Sequence, residues 1–296
     1  MKLACRPCTF NEVHQWAEFL NKNFGYTSPL NYAVDFAPWF EPRALEWTRL
    51  TWDQNQVVAS ASLYPVTVKT RTSTLNLGII GAVATDSLYR GQGLSSSIFK
   101  ELEECAKKLN LQGLVLWSDQ EDFYGKLGFK KQGKQRLLFL KGLPPPSNFA
   151  QGTALYGWDW EEVQKIYNIH SLRCLRTNEY WQDLKKIKSC TQVQWVDSTG
   201  KLQAYIGFDR GKDMVGVVHE WGGEPHALYS LLWVVLQNRP NLAWLTHPLL
   251  KDPIAELLPS KDSLGEFCSP LAWFKFLDQD LEAHADEIWF WGLDSL

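Results

Sequence analysis

Arg90-Gly91-Gln92-Gly93-Leu94-Ser95 stands between an apolar stretch ending at Thr85 and a run in which Leu94, Ile98, Leu102, Cys105, Ala106 and Leu109 fall on one stripe. That stripe has the three-and-four spacing of an amphipathic helix, so the hexapeptide is a strand-to-helix turn at a helix N-terminus. Two glycines there let backbone N–H groups turn toward one point, where the helix dipole also favours negative charge. The stretch reads as a cradle for a pyrophosphate. No Gly-Lys-Ser/Thr follows, which excludes a Walker loop, and the preceding strands read as hairpin-linked rather than as a parallel dinucleotide-binding unit.

Upstream, a largely apolar stretch from Lys2 to Cys8 reads as a strand, and Phe10, Val13, Trp16, Ala17 and Leu20 predict a helix from Asn11 to Phe24. Three β-rich runs follow: Leu45 to Trp52, Val57 to Thr70 and Thr74 to Thr85. Asp53-Gln54-Asn55-Gln56 and Arg71-Thr72-Ser73 separate them, short enough for hairpins, so an antiparallel meander is expected. Downstream, Leu114-Val115-Leu116-Trp117 shows no polar alternation, as in a strand covered on both faces. A short helix from Glu121 to Leu127 and a strand pair over Phe129 to Leu140 complete this half. Pro144-Pro145-Pro146-Ser147 can continue neither element, so residues 144–152 read as a linker between domains 1–143 and 153–296.

The second half repeats the order: a helical region from Trp160 to Lys188, strands over Thr191–Asp197, Leu202–Asp209 and Met214–Trp221, and a helix over Pro225–Gln237. Strands are then expected near Leu242–Thr246, Leu271–Leu277 and Ile288–Trp291. The fold class is α+β, a mixed and largely antiparallel sheet flanked by helices, twice in tandem. Ten of the fifteen tryptophans fall here, as a bulky core, a domain interface or an aromatic pocket would need.

With 296 residues, 45% hydrophobic, the chain can bury a sizeable core, and a net charge of -3 with no basic stripe excludes the usual footprint of a nucleic-acid binder. The halves differ: residues 1–150 hold 17 Lys and Arg against 13 Asp and Glu, and residues 151–296 hold 13 against 20. No run of eighteen apolar residues is present, so no membrane span is expected. Six scattered cysteines suit reduced thiols and a cytoplasmic chain. Cys5-Arg6-Pro7-Cys8 has no second Cys/His pair nearby, so no metal site is read from it.

The order strand, Arg-Gly-Gln-Gly-Leu-Ser, helix, buried strand, then Asp122-Phe123-Tyr124-Gly125-Lys126-Leu127-Gly128-Phe129 resembles the GCN5-related N-acetyltransferases (GNAT). The resemblance covers residues 1–142 and is strongest over 78–132. Arg90, Gly93 and Ser95 fall in register with that family's acyl-CoA loop, Ser95 standing where the family has Gly or Ala, and Phe123, Tyr124, Lys126, Gly128 and Phe129 match its second signature.

The resemblance implies a V-shaped sheet with acyl-CoA, most simply acetyl-CoA, in its split. The pantetheine would pair with backbone groups of Ala82, Val83 and Ala84, and the pyrophosphate would lie on Arg90, Gly91, Gln92, Gly93, Leu94 and Ser95. Tyr124 would protonate the departing thiolate. Trp117 replaces an Asn common in the family, and Gly78 to Thr85 lacks the carboxylate that often serves as base. The implied activity is N-acetyl transfer to an amine by direct attack in a ternary complex, and the rival reading is a non-catalytic acyl-CoA sensor or interaction protein.

The proton acceptor is then sought in residues 151–296. Val217-Val218-His219-Glu220-Trp221 puts His219 and Glu220 on opposite faces of a strand. The apolar run Ile288 to Trp291 leads to Asp294 and the Leu296 carboxylate. Leu296, Glu220, His219 and Asp294 are all candidates, the chain end first, since tandem members of the superfamily resemble this arrangement. Gly222-Gly223-Glu224-Pro225 is no second acyl-CoA loop, because Glu224 would repel a pyrophosphate, so the second half reads as a degenerate, acceptor-shaping domain. Its acidic excess favours a cationic small-molecule acceptor.

Overall fold

A computed structural model describes residues 3–251, 253, 257 and 264–296. β1 (Cys5–Pro7), β2 (Thr48–Asp53), β3 (Gln56–Lys69) and β4 (Thr74–Thr85) run antiparallel in that order, the meander that the short connections dictate. Between β1 and β2 lie α1 (Val13–Asn23) and two single turns, α2 (Tyr32–Asp35) and α3 (Pro42–Leu45). From β4 the chain crosses through α4 (Leu94–Lys108) to β5 (Gly113–Leu116), which pairs with β4 in parallel. The predicted stripe is the buried face of α4: Leu94, Ile98, Leu102, Cys105 and Ala106, joined by Phe99, pack on the sheet. Each such aliphatic or aromatic side chain contributes about 1.5–3 kcal/mol by leaving water.

After α5 (Glu121–Lys126) and β6 (Lys130–Gln132), β7 (Gln135–Phe139) leaves this sheet for the second. The rest of the chain supplies β8 (Thr153–Tyr156), α6 (Trp160–Tyr167), β9 (Arg173–Cys174), α7 (Asn178–Leu184), β10 (Thr191–Val196), β11 (Leu202–Phe208), β12 (Val217–Gly223), α8 (Pro225–Leu236), β13 (Ala243–Thr246), β14 (Glu266–Ser269) and β15 (Ala272–Phe276). The second sheet repeats the first: a meander β10-β11-β12, a crossover through α8, and β13 parallel to β12.

The sheets do not part at the proline segment. Their order is β1-β2-β3-β4-β5-β15-β6, with β9 added on β3, and β14-β7-β13-β12-β11-β10-β8. β15, from the second half, fills the gap between β5 and β6, pairing Trp273 with Leu116 on one side and Lys131 on the other. β7, from the first half, fills the equivalent place between β13 and β14, pairing Leu138 with Trp244 and Glu266. The two halves exchange one strand each. The boundary expected at residues 144–152 therefore does not separate two closed sheets.

Three further elements differ from the reading of the sequence. The long helical region over 160–188 breaks into α6 and α7, and β9 between them joins the first sheet through Cys174 opposite Val68. The short strands β8 and β14 were not expected. Ile288–Trp291 forms no strand; its four side chains are buried, and the run is apolar because it threads the interior, not because it pairs.

Both parallel pairs open into a V. β4 and β5 are in register only at Leu77–Ile79 against Gly113–Val115, and beyond that β4 bends at a bulge where Ala82 has φ +51°. The Ser60 hydroxyl donates to the Ala82 carbonyl at 2.7 Å and fixes the bend. In the second sheet β12 and β13 pair only at Val217 and Val218, but that opening is filled. Trp221 stacks on Trp244 at 4.5 Å between ring centres and donates its indole N–H to Leu245 across the gap at 3.0 Å.

Candidate active site

The first V is the mouth of a cleft of about 1160 Å³. One wall is β4 from Ile80 to Thr85, and the other is Leu116, Trp117 and Ser118 with Phe123 and Tyr124 of α5. One end is closed by the loop and the first turn of α4, Arg90 to Ser96, and the other by Phe24, Tyr26, Tyr32 and Phe36. The second half reaches over this far end with Arg210 to Met214 (Gly211 excepted), and with Ser295 and Leu296.

The loop is built as its glycines imply. Gly91 and Gly93 have φ +77° and +75°, a left-handed backbone that places Gly93 at the N-cap of α4, and a Cβ at either would meet nothing within 4 Å. No side chain caps this helix and no acidic residue lies in its first turn, so its N–H groups face the cleft unsatisfied. Ser95, the departure from the family pattern, bonds Thr85 hydroxyl to hydroxyl at 2.6 Å, tying the helix start to the end of β4. Asp86 accepts from the Leu88 N–H at 3.0 Å and pairs with Lys22 at 2.7 Å, holding the loop from its other side. α8 offers no such end: Glu224 accepts from the Ala227 N–H at 2.7 Å, and Pro225 removes a donor.

Ala82, Val83, Ala84, Arg90, Gly91, Gly93, Leu94, Ser95 and Tyr124 all line the cleft, and Gln92 lies in the loop between lining residues. Tyr124 is buried, and that burial raises its phenol above the ordinary value, so it holds its proton firmly. Of the four base candidates only Leu296 reaches the cleft. Its main-chain oxygen lies 3.2 Å from where a Cβ on Gly81 would be, beside the bulge in β4.

The other three stand elsewhere. Glu220 and Asp294 share the Arg176 guanidinium in the interior, at 2.6 and 2.8 Å, and burial raises the Glu220 carboxyl above the ordinary carboxylate value against the pull of Arg176. His219 is fully buried with Nε2 at 3.1 Å from the Asp209 carbonyl, and burial lowers its imidazole to about 3. Strand alternation did not separate an inward from an outward residue here, because β12 is covered on both faces.

The aromatic end of the cleft carried no motif. Tyr32 stacks on Phe24 and Phe36 at 5.0 and 4.6 Å between ring centres, and Tyr26 meets it edge-on. The only signal was spacing: Tyr32 and Phe36 are one helical turn apart. Arg210, just after β11, is buried over the Phe36 ring at 5.0 Å and donates to the Ser295 carbonyl at 2.6 Å.

Residues 4–131 match the family described as acetyltransferase (GNAT) domain. No curated protein matches the chain as a relative. Among solved structures it is similar to a conserved protein of unknown function, a probable N-acyltransferase, from Enterococcus faecalis, at 17% identity and a TM-score of 0.70, covering 94% of this chain and 73% of that one. A GCN5-related N-acetyltransferase from Anabaena variabilis follows at 15% and 0.66, covering 96% and 75%. An N-myristoyltransferase from Saccharomyces cerevisiae with bound myristoyl-CoA shares 12% identity at 0.57, covering 93% and 80%.

Proposed function

We propose, from the premise that this chain is a GNAT protein whose acetyltransferase domain spans residues 4–131, that it moves the acetyl group of acetyl-CoA to an amine. One observation carries the reading: the open V of the first sheet joins an uncapped glycine loop, Tyr124 and Leu296 in a single cleft. The pyrophosphate is held by the Arg90–Ser95 N–H groups and the pantetheine by the backbone of Ala82 to Ala84. Backbone N–H groups of β4 stabilise the oxyanion, and Tyr124 delivers its proton to the thiolate as the amine attacks.

The attacking nitrogen is an ammonium until it loses a proton, and β4 has no carboxylate to take it. For a polypeptide that ends at Leu296, we assign that step to its terminal carboxyl group, which lies beside Gly81. The acceptor is a cationic small-molecule amine, a reading supported by the Asp213 carboxylate at the far end of the cleft and by the acidic excess of residues 151–296. A cytoplasmic location accords with six unpaired cysteines, and no helix among the described residues is long and apolar enough to cross a membrane.

Thiol release from acetyl-CoA over a panel of amines tests the activity. Turnover with at least one small cationic amine is expected, and a series from acetyl- to myristoyl-CoA should favour the shortest chain. Binding of acyl-CoA without turnover on any amine would leave the sensor reading in place instead.

Gly93→Val tests the cradle. A β-branched residue at φ +75° is strained by about 1–2 kcal/mol and sets a side chain in the open space where the backbone must meet phosphate. Acyl-CoA affinity is expected to fall at least tenfold, roughly 1.4 kcal/mol, with the fold kept. Unchanged affinity by calorimetry removes the loop from the site.

A further inference from the structure

The three candidates that stand away from the cleft are not scattered. Arg176 follows β9, and its guanidinium is sandwiched over the rings of Tyr167 at 3.8 Å and Trp181 at 4.5 Å. It grips Asp294 with two bonds, Nε and Nη2 each at 2.8 Å, and Glu220 with Nη2 at 2.6 Å. Glu220 in turn accepts from the Leu293 N–H at 3.0 Å, and the Tyr167 hydroxyl donates to Asp294 at 3.1 Å. All three ionic side chains are buried to within 1%.

A second grip acts on both sides of Asp294, at Gly292 and at Ser295. Arg210 donates to the carbonyls of Gly292 and Ser295, and the His219 carbonyl accepts from the Gly292 N–H at 3.0 Å. The segment lies so close to the His219 ring that a Cβ on Gly292 would stand 2.2 Å from its Nδ1. Within the segment, Asp294 and Leu296 close a turn through N–H bonds to the Trp291 and Asp294 carbonyls at 2.8 and 3.0 Å. Every residue from 292 to 295 is thus fixed by a partner on another element or by this turn, and Leu296 is the next residue along.

We propose that Arg176, Glu220, Asp294 and Arg210 are positioning residues that hold segment 292–296 in the cleft and set Leu296 against the Gly81–Ala82 bulge. The proposal rests on the acyltransfer reading above and deepens it: the second half supplies a clamp for a reacting group and not a second active site. Burying two carboxylates and two guanidinium groups is costly unless each is paired, and a packed apolar core would serve stability as well. A fixed location for the segment they share is what these pairs add. None of the four touches substrate in this arrangement except where Arg210 lines the cleft.

Asp294→Asn is the test. It leaves Arg176 and Glu220 as a one-to-one pair, so the fold can persist, while the two-bond grip on the segment is lost. With the amine that turns over best, kcat is expected to fall at least tenfold with the acyl-CoA KM within twofold of wild type. Hydrogen exchange of peptides covering 291–296 is expected to rise at least tenfold, with β4 and α4 unchanged.

Arg210→Lys, which keeps the charge but cannot span two carbonyls, should raise exchange in the same peptides and serves if the first variant does not fold. Wild-type kcat and exchange in the folded variant overturn the clamp. Lost kcat with unchanged exchange also overturns it, since Asp294 would then act directly in the chemistry. If the wild-type protein transfers no acyl group to any amine, the acyltransfer reading fails, and exchange alone decides whether the clamp exists.

Discussion

A polar tail of four to six residues appended to Leu296 of the 296-residue polypeptide should lower acetyl transfer by about 10²-fold or more, the range lost with a general base, and leave acyl-CoA affinity within about threefold. The tail removes the carboxylate from the position beside Gly81 and replaces it with a neutral amide that cannot accept a proton from an ammonium. The glycine loop closes the opposite end of the cleft, so the pyrophosphate end is spared. Deleting Leu296 is a sharper control: it preserves a carboxylate but withdraws it by one residue, about 3.8 Å, too far for direct proton transfer. Full activity in the tailed protein would mean that water, not the carboxyl group, takes the proton.

Tyr124→Phe should lower kcat by about 10²- to 10⁴-fold with acyl-CoA affinity nearly intact, because the hydroxyl acts only as the thiolate leaves. The ring itself is packed: Tyr124 meets Phe99, Phe123 and Phe129 in edge contacts at 6.0, 5.0 and 6.1 Å. Phenylalanine keeps all of these, so the variant should fold as wild type. Pre-steady-state release of thiol is the measurement, since it separates loss of the acid from slower product release. A Phe variant with wild-type kcat would show the tyrosine to be packing alone.

The parts of the site that follow from local chemistry were legible in the sequence. A left-handed Gly93 at a helix start, the small residues of β4 and the Phe123-Tyr124 pair each have a local pattern that admits few conformations, and each lies where that pattern puts it. What was not legible depends on pairing at long range. β7 and β15 have the same alternation whether they pair within their own half or across it, so nothing local distinguishes exchange from closure. Ile288–Trp291 looked like a strand because a fully buried segment and a buried strand share one composition. Tyr26, Tyr32 and Arg210 gather at the cleft from three separate places in the chain, a juxtaposition that no spacing encodes.

The strand exchange also bears on how the protein is made. A nascent chain emerges from the ribosome N-terminus first, and β5 and β6 must wait for residues 272–276 before the slot between them is filled. At about 5–20 residues per second, that leaves the slot unpaired for some ten seconds or longer, a stretch of exposed strand edge that invites mispairing or chaperone capture. Neither sheet can close until strands from both halves are present, so the two halves fold as one event and not in turn. A chain nicked within Pro144–Pro146 should, for the same reason, yield two fragments that each lack a central strand and that recover transfer activity only when mixed.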